Sequence, residues 1–504
     1  MAAMKNRFYL RGCWFFAAIS LALMLSGCPA VGPDYVKPEI EVPGEWHAPK
    51  EDGLIAEPVP PEVLARWWTV LNDPMLSSLV VRAIAGNLDL QTAQARVKEA
   101  RARRGISRAG YFPVLDADAS ASKNRSSEVN GPATEYELYR AGFDAGWELD
   151  IFGGVRRAVE AAEADFSASG EALNQALVTL LSEVALNYID VRALQARIAV
   201  AEENADAQKE TYELTRSRFE AGLTDELAVQ GARYSLAGTL AQIPTLKTAL
   251  EGAKNRLAVL LGETPGTVHT DLAKREPIPV PPLSVAVGVP AETLRQRPDV
   301  RKAERALAAQ TARIGVAEAD LYPRFRLFGA LGYESLSTED FFSSGSLTWR
   351  FGPSVSWRLF DGGAVRGNIE VQTARQEQYL KQYQATVLAA LEEAENALTA
   401  YVSEQERRDN LITARDAAAR AFTLALDQFR AGLVPFSDVL IAQRALLSYE
   451  DQLAQSEGNV TTNLIRIYKS LGGGWRFQVD APPLNRDAEK EALSDNENET
   501  ATRE

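Results

Sequence analysis

Phe143-Asp144-Ala145-Gly146-Trp147-Glu148-Leu149-Asp150, followed by Gly153-Gly154 and then by a stretch without proline as far as Phe219, decides the fold. From Phe143 to Asp150 the odd positions are apolar and the even ones polar or small, the period of a strand with two unlike faces. Beyond the glycine pair the composition turns to Ala, Leu, Glu, Gln and Arg, with Gly170 the one internal glycine. This run of roughly 65 residues amounts to about 100 Å of helix at 1.5 Å per residue, several times the usual length. Leu173, Leu177, Leu180, Val184, Tyr188, Val191, Leu194 and Ile198 recur at spacings of three and four, an apolar stripe suited to a coiled coil or a helical tube.

The pattern returns later in the chain. Pro113 recurs as Pro323, Trp147 as Trp357, Arg156 as Arg366, Phe219 as Phe429, Ala221-Gly222-Leu223 as Ala431-Gly432-Leu433 and Leu261-Gly262 as Leu471-Gly472, each pair 210 residues apart. Two copies of one unit account for this. The second long run, Val365 to Phe429, is interrupted by Gly367 near its start. Shorter helical stretches, Val81 to Ala109 with Asp225 to Leu261 and Ala291 to Asp320 with Ser437 to Leu471, match a long run when paired, so two short helices are expected to stack end to end beside each long one. Pro244 predicts a kink or lost hydrogen bonds within its helix.

Leu115 to Ser122 alternates as Phe143 to Asp150 does. In the second copy Phe325, Leu327, Leu331 and Tyr333 oppose Arg324, Arg326 and Glu334, while Leu347, Trp349, Phe351, Val355, Trp357 and Leu359 oppose Arg350, Ser354, Ser356 and Arg358. All four strands share one parity. Such segments suit a half-solvated soluble sheet or a transmembrane barrel wall. With no second amphipathic sheet in the sequence to cover it, the apolar face is expected to meet lipid. Four strands cannot close a barrel, and hydrocarbon does not tolerate open edges, so the chain is expected to oligomerise. The lumen then carries Asp116, Asp118, Asp144, Glu148 and Asp150 from the first copy and Arg324, Arg326, Arg350 and Arg358 from the second, as alternating acidic and basic sectors.

Lys5, Arg7 and Arg11 precede the apolar Cys13 to Leu25 and then Leu25-Ser26-Gly27-Cys28. This is a secretory signal, too short to span a bilayer and no part of the fold. Its ending resembles a bacterial lipobox, which makes Cys28 the acylated mature N-terminus; Pro29 after it, rather than Asp, favours the outer membrane. One acyl anchor holds a protein only partly, so a second anchor is expected. Removing the signal's three cations takes the formal charge from −14 to −17 and leaves Cys28 as the single cysteine, so no disulfide can form within the mature chain. The acidic balance argues against nucleic acid as a partner. His47 and His269 lie far apart in Pro-rich stretches, which leaves no metal-ligand spacing and no His-based triad. No cofactor or metal is expected. The pair Asp116 and Asp118 shares a strand face with serines and has no phosphate loop nearby. Gly153-Gly154 and Gly362-Gly363 read as strand-to-helix breaks rather than phosphate cradles. An enzyme needs convergent titratable groups in a closed pocket, and none can be assembled.

Val31-Gly32-Pro33-Asp34-Tyr35, Trp67-Trp68 with Asp73-Pro74-Met75-Leu76, Arg297-Pro298-Asp299-Val300, Trp357-Arg358-Leu359-Phe360-Asp361-Gly362-Gly363, and Phe429-Arg430-Ala431-Gly432-Leu433 leading to Ser437-Asp438-Val439-Leu440 together resemble the TolC-like outer-membrane efflux channels, in their lipoprotein (NodT-type) branch. The resemblance covers about residues 28 to 475. It implies a mixed α+β membrane protein: a homotrimer with a 12-stranded β-barrel, four strands per chain, continued by a 12-helix periplasmic α-barrel. It also implies passive export from the periplasm, with substrate arriving from an inner-membrane pump of the resistance-nodulation-division type through a periplasmic adaptor. The chain then divides into a signal peptide (1–27), a lipid-anchored Pro-rich segment (28–80), repeat 1 (81–262), an equatorial link (263–290), repeat 2 (291–472) and a C-terminal segment whose acidic tail after Pro483 reads as disordered (473–504). Each long helix ends in Phe-x-Ala-Gly-Leu, where glycine can take the left-handed conformation that turns the chain back. The tips formed by Gly222, Leu223, Asp225 and Glu226 and by Gly432, Leu433, Ser437 and Asp438 are expected at the periplasmic end, held by weak contacts, as gate and adaptor contact. Asp225 and Ser437 also read as caps of the following helices. Leu433-Val434-Pro435-Phe436 is apolar where many relatives carry an acid or amide, and Ile441 stands where Asp is common, which speaks against an acidic gate ring. A structural or adhesive envelope coiled coil, the alternative, is expected to carry an exposed passenger domain, which the sequence lacks.

Overall fold

The computed structural model describes residues 30–48, 53–55, 57–130, 132–282 and 284–476. The expected signal peptide, Cys28 and the acidic tail lie outside them. In chain order the elements are β1 (Leu54–Ile55), α1 (Pro61–Ala65), α2 (Pro74–Gly86), α3 (Leu88–Ala109), β2 (Val114–Arg125), β3 (Glu135–Leu149), α4 (Gly154–Glu220), α5 (Glu226–Leu260), β4 (Val285–Ala286), α6 (Pro290–Gln296), α7 (Pro298–Ala319), β5 (Arg324–Ser335), β6 (Leu347–Ser356), α8 (Ala364–Arg430) and α9 (Phe436–Ser470). The long helices α4 and α8 have 67 residues each. The bounds of α3, β2, α4 and α5 recur 210 residues later as α7, β5, α8 and α9.

The chain forms two compact units. The first comprises residues up to Glu41, Thr92–Leu173 and Pro298–Ala389. It holds an antiparallel sheet in the order β2-β3-β5-β6. The register keeps the single parity read from the sequence: Ala117, Phe143, Leu331 and Trp349 lie in one row across the four strands, and Asp116, Asp144, Ala330 and Arg350 in the next. Two tryptophans tie strand ends back to the preceding helix ends by the same bond, Trp147 Nε1 to Tyr111 O and Trp357 Nε1 to Leu321 O, each 3.0 Å. At the strand-to-helix junctions the glycines do turn the chain, with φ of +81° at Gly153 and +94° at Gly363. Carboxylates there accept the free amides of the long helices: Asp150 takes Val155 N and Arg156 N, and Asp361 takes Gly363 N and Val365 N, all at 2.9 Å.

The second unit comprises Val42–Gln91, Asn174–Arg297 and the residues from Ala390 on. Trp67, Leu76, Leu79, Leu181, Ile189 and Leu257 are fully buried in it, and Trp67 stacks on Tyr468 at 5.8 Å. Buried Arg192 donates to Tyr188 OH (3.0 Å), Gln195 Oε1 (2.9 Å) and Lys274 O (2.9 Å), which pins the 263–288 connection to α4. Tyr188 in turn donates to Asp73 at 2.6 Å, and burial together with that carboxylate pushes its phenol well above the usual range.

Two sequence expectations are corrected. The Val81 to Ala109 helix is two helices, α2 and α3, because Asn87 turns extended and caps α3, its Oδ1 accepting Leu90 N at 2.9 Å. Ala291 to Asp320 likewise splits into α6 and α7 at Arg297, since Pro298 disfavours a helical residue before it. Each break meets the end of another short helix: Asn87 Nδ2 donates to Leu260 O (2.9 Å) and Arg297 Nη1 to Ser470 O (2.7 Å). Pro244 lies inside an unbroken α5, and having no N–H it loses the hydrogen bond that the sequence predicted it would lose. The carbonyl left without that donor belongs to Leu240, a half-exposed residue.

Candidate functional site: sheet faces and helix tips

Of the residues expected to line a lumen, Asp116, Asp118, Asp144, Glu148, Arg324, Arg326 and Arg350 lie on one face of the sheet by register. Asp150 and Arg358 do not lie in strands. Asp150 is drawn out of the ladder by the helix amides it caps and by Arg156 Nε at 3.1 Å, and Arg358 follows the end of β6. Charges mix more closely than separate sectors imply. Glu148 stands opposite Arg326, and Arg140 pairs with Glu334 at 2.9 Å, a bridge between copies that alternation alone did not single out. Arg324 pairs with Asp320. Asp116 stands directly opposite Asp144, so the β2–β3 hairpin keeps an acidic patch.

The other face is apolar and uncovered. Phe143, Leu331, Trp349, Phe351 and Val355 are all exposed, and Trp349 stacks on Phe351 at 5.4 Å. Aromatic surface of this extent, continuous across a sheet, marks contact with lipid or another chain. Among the described residues no helix is long and apolar enough to cross a membrane, and no group of side chains could hold a metal ion.

Both helix tips belong to the second unit. Gly222 and Gly432 have φ of +76° and +75°. Leu223 N donates to Arg218 O (2.8 Å) and Leu433 N to Gln428 O (2.9 Å), the backward bonds of a glycine-terminated helix. Asp225 caps α5 through Ala228 N at 2.9 Å, and Glu226 follows it, exposed, in the first turn. Ser437 does not cap α9. That helix starts one residue earlier, from an extended Pro435, which leaves Ser437 and Asp438 exposed in its first turn.

The two tips pack together. Arg218 Nη1 donates to Arg430 O (3.0 Å) and its guanidinium lies 4.8 Å from the Phe429 ring. Phe429 and Phe436, 5.2 Å apart, form a buried cluster with Ala228, Ala232, Val439 and Leu440. A cavity of about 510 Å³ opens beside it, lined by Leu223, Asp225, Tyr234, Gly432 and Ser437 among others. The contacts are therefore not uniformly weak: a polar rim stands over an apolar plug. Sequence reasoning missed that plug, although the Phe-x-Ala-Gly-Leu motif contained half of it.

Residues 79–263 and 289–473 match the family described as outer membrane efflux protein. Nodulation protein T of Rhizobium leguminosarum bv. trifolii is 33% identical over 441 residues, covering 86% of this chain and 92% of the relative. The solvent efflux pump outer membrane protein SrpC of Pseudomonas putida is 30% identical over 466 residues, 90% of this chain and 97% of that one. The solved structure of the outer-membrane channel OprN aligns with a TM-score of 0.83 at 37% identity, over 88% of this chain and 99% of that one. A sheet with an uncovered apolar face, joined to very long helices that end in paired glycine turns, is the chain of a TolC-like outer-membrane efflux channel. The protein belongs to the outer membrane efflux protein family, in its NodT-type branch.

Proposed function

We propose that the protein is a passive duct for export from the periplasm to the exterior, opened by a periplasmic adaptor and supplied by an inner-membrane pump of the resistance-nodulation-division type. The observation that carries this reading is the four-stranded sheet itself: one face apolar and uncovered, the other polar, and β2 and β6 left as edges. Both edges and the apolar face are accommodated if three chains join edge to edge into a 12-stranded barrel, with four long helical columns per chain continuing as a 12-helix tunnel. The recurrence of element bounds at 210 residues and the matching tryptophan bonds support two copies of one unit, residues 81–262 and 291–472, around an equatorial link at 263–290. Segments 1–27, 28–80 and 473–504 are then signal, anchored entry segment and tail, with Cys28 carrying the acyl group. Asp116, Asp118, Asp144, Glu148, Arg324, Arg326 and Arg350 face the lumen in this reading. The glycine tips around Gly222 and Gly432 form the periplasmic gate. Expressed in a strain deleted for its own efflux channel but retaining pump and adaptor, the protein is expected to restore export of a fluorescent pump substrate. Unchanged dye accumulation in cells that hold the assembled protein in the outer membrane counts against the duct.

A further inference from the structure

Between the apolar plug at the helix tips and the next apolar cluster of the second unit, polar side chains are buried inside the bundle. On α4, Ala205 belongs to a buried cluster with Ala201 and Ile243, and Tyr212 packs against the plug around Phe429 and Phe436. Gln208 stands three residues after Ala205 and four before Tyr212, so it shares their face of the helix. It is 1% exposed, and neither its Nε2 nor its Oε1 has a hydrogen-bond partner among the described residues. On α9, Gln443 follows the plug residues Val439 and Leu440 by four and three positions. It is 2% exposed, and its Nε2 is unpartnered in the same way. The two amides lie fourteen residues before Gly222 and eleven after Gly432, roughly 21 and 16 Å along their helices from the turns.

Other buried polar groups nearby are satisfied. Thr211 and Thr215 donate their hydroxyls to Ala207 O and Thr211 O, each at 2.8 Å, and Asn204 Nδ2 donates to Val200 O (3.0 Å) and Glu450 Oε2 (2.6 Å). Nor does the repeated architecture require amides here. The 210-residue counterpart of Gln208 is Ala418, buried and apolar, and that of Gln443 is Arg233, which is exposed. A buried amide short of hydrogen bonds raises the free energy of the packed state and regains water when the helices part. Both amides bear on the same transition, since each adjoins the plug that joins the two tips.

We propose that Gln208 and Gln443 are a release layer for the tips: their unmet hydrogen bonds oppose the apolar plug and keep the packed tip within reach of opening. The plug supplies closure, the amides limit its strength, and a modest pull at the tip is then enough to part the helices. This rests on the reading of the glycine tips as the periplasmic gate.

The test uses the full-length protein purified from outer membranes, with Gln208→Met and Gln443→Met, which keep an unbranched side chain of similar size and remove the amide. Gln242→Met, the same change at an exposed position of α5, is the control. Amide hydrogen exchange, which follows local opening, is measured over Ala205 to Phe219 and Val439 to Gln443. Each buried-site variant is expected to exchange at least about fivefold more slowly over both segments, because an unsatisfied buried group has been removed from the packed state, while the control matches the parent. Amides that hold the bundle together predict the opposite sign. Exchange equal to or faster than the parent's in either buried-site variant overturns the layer, as does equal slowing in the control. Export of a fluorescent pump substrate, in the channel-deleted strain with pump and adaptor, is expected to fall at least about twofold in both variants at equal levels of assembled channel. Parent-like export despite slowed exchange overturns the layer's part in opening. A parent protein that exports nothing overturns the gate reading instead, and the exchange rates still decide whether the amides loosen the tip.

Discussion

Replacing Gly222 or Gly432 by Val isolates the backbone's part in the tips. Both glycines sit in the left-handed region, φ +76° and +75°, and at both an added Cβ would meet no atom within 4 Å. The penalty is therefore backbone strain without a clash, roughly 1–2 kcal/mol for an L side chain in that conformation. A β-branched Val belongs at the upper end; Asn belongs below Ala because its side chain tolerates the region. An increment of about 1.4 kcal/mol is a factor of ten in an equilibrium constant, so local opening of either tip is expected to rise by about that factor in the Val variants. Hydrogen exchange at Leu223 and Leu433, whose amides donate backward to Arg218 O and Gln428 O, reads the opening directly. Export of a fluorescent pump substrate in a strain lacking its own channel reads the consequence. Loss of export is expected in the order Val, Ala, Asn at each site, with unchanged yield of assembled channel in the outer membrane. Equal export by Val and Asn variants refutes the strained-turn argument, and failure of the Val variants to insert refutes the placement of these turns at the gate.

Removing the indole donor in Trp147→Phe or Trp357→Phe deletes one 3.0 Å bond to a backbone carbonyl, and each is expected to lower stability by about 0.5–1.5 kcal/mol in denaturant titrations. Similar losses are expected because the two bonds are alike; a large difference between them speaks against equivalent copies. Burial alone raises the pKa of Glu393, but Arg297 at 2.7 Å and Lys469 at 3.0 Å outweigh it and hold the carboxyl below its ordinary value near 4.5. A depressed carboxylate contributes its full stability above the unfolded value and loses it as pH falls through the folded one. Glu393→Gln is therefore expected to lower the melting temperature at pH 7 and to converge with the parent in strong acid; an equal gap at both pH values contradicts this. Cys28→Ser is expected to lose acylation while retaining much of its membrane insertion, and complete release into the periplasm disproves the sheet as a second anchor.

The strands and long helices were legible because their signals are local. A period of two ending at a glycine pair, then a proline-free run, is enough to place β3 and α4, and the register keeps all four strands on the parity read from the residues. Where an element stops was harder, because ends are settled by capping competition. Asp150 continues the alternation of β3 yet serves the amides of α4, and Asn87 ends one helix by starting another. The tips show the limit of a repeat. Phe219 and Phe429 hold the same place in the same motif, but Phe219 is 42% exposed and Phe429 is 4% exposed, since only the second packs against Phe436. Arg157 escapes a local reading for a related reason: three of its hydrogen bonds go to Val31, Gly32 and Asp34, more than a hundred residues earlier, and the sequence marks it only by the mismatch with Gly367.

Electron cryo-microscopy of the detergent-solubilised assembly tests the central claim most directly. Three chains are expected around one axis, with β2 of each chain hydrogen-bonded to β6 of the next, Asp116, Asp144, Arg326 and Arg350 pointing into the lumen, and Phe143, Trp349 and Phe351 pointing into the detergent belt. A single chain whose sheet is covered by a soluble partner, or a closed barrel with the aromatic face turned inward, contradicts the account.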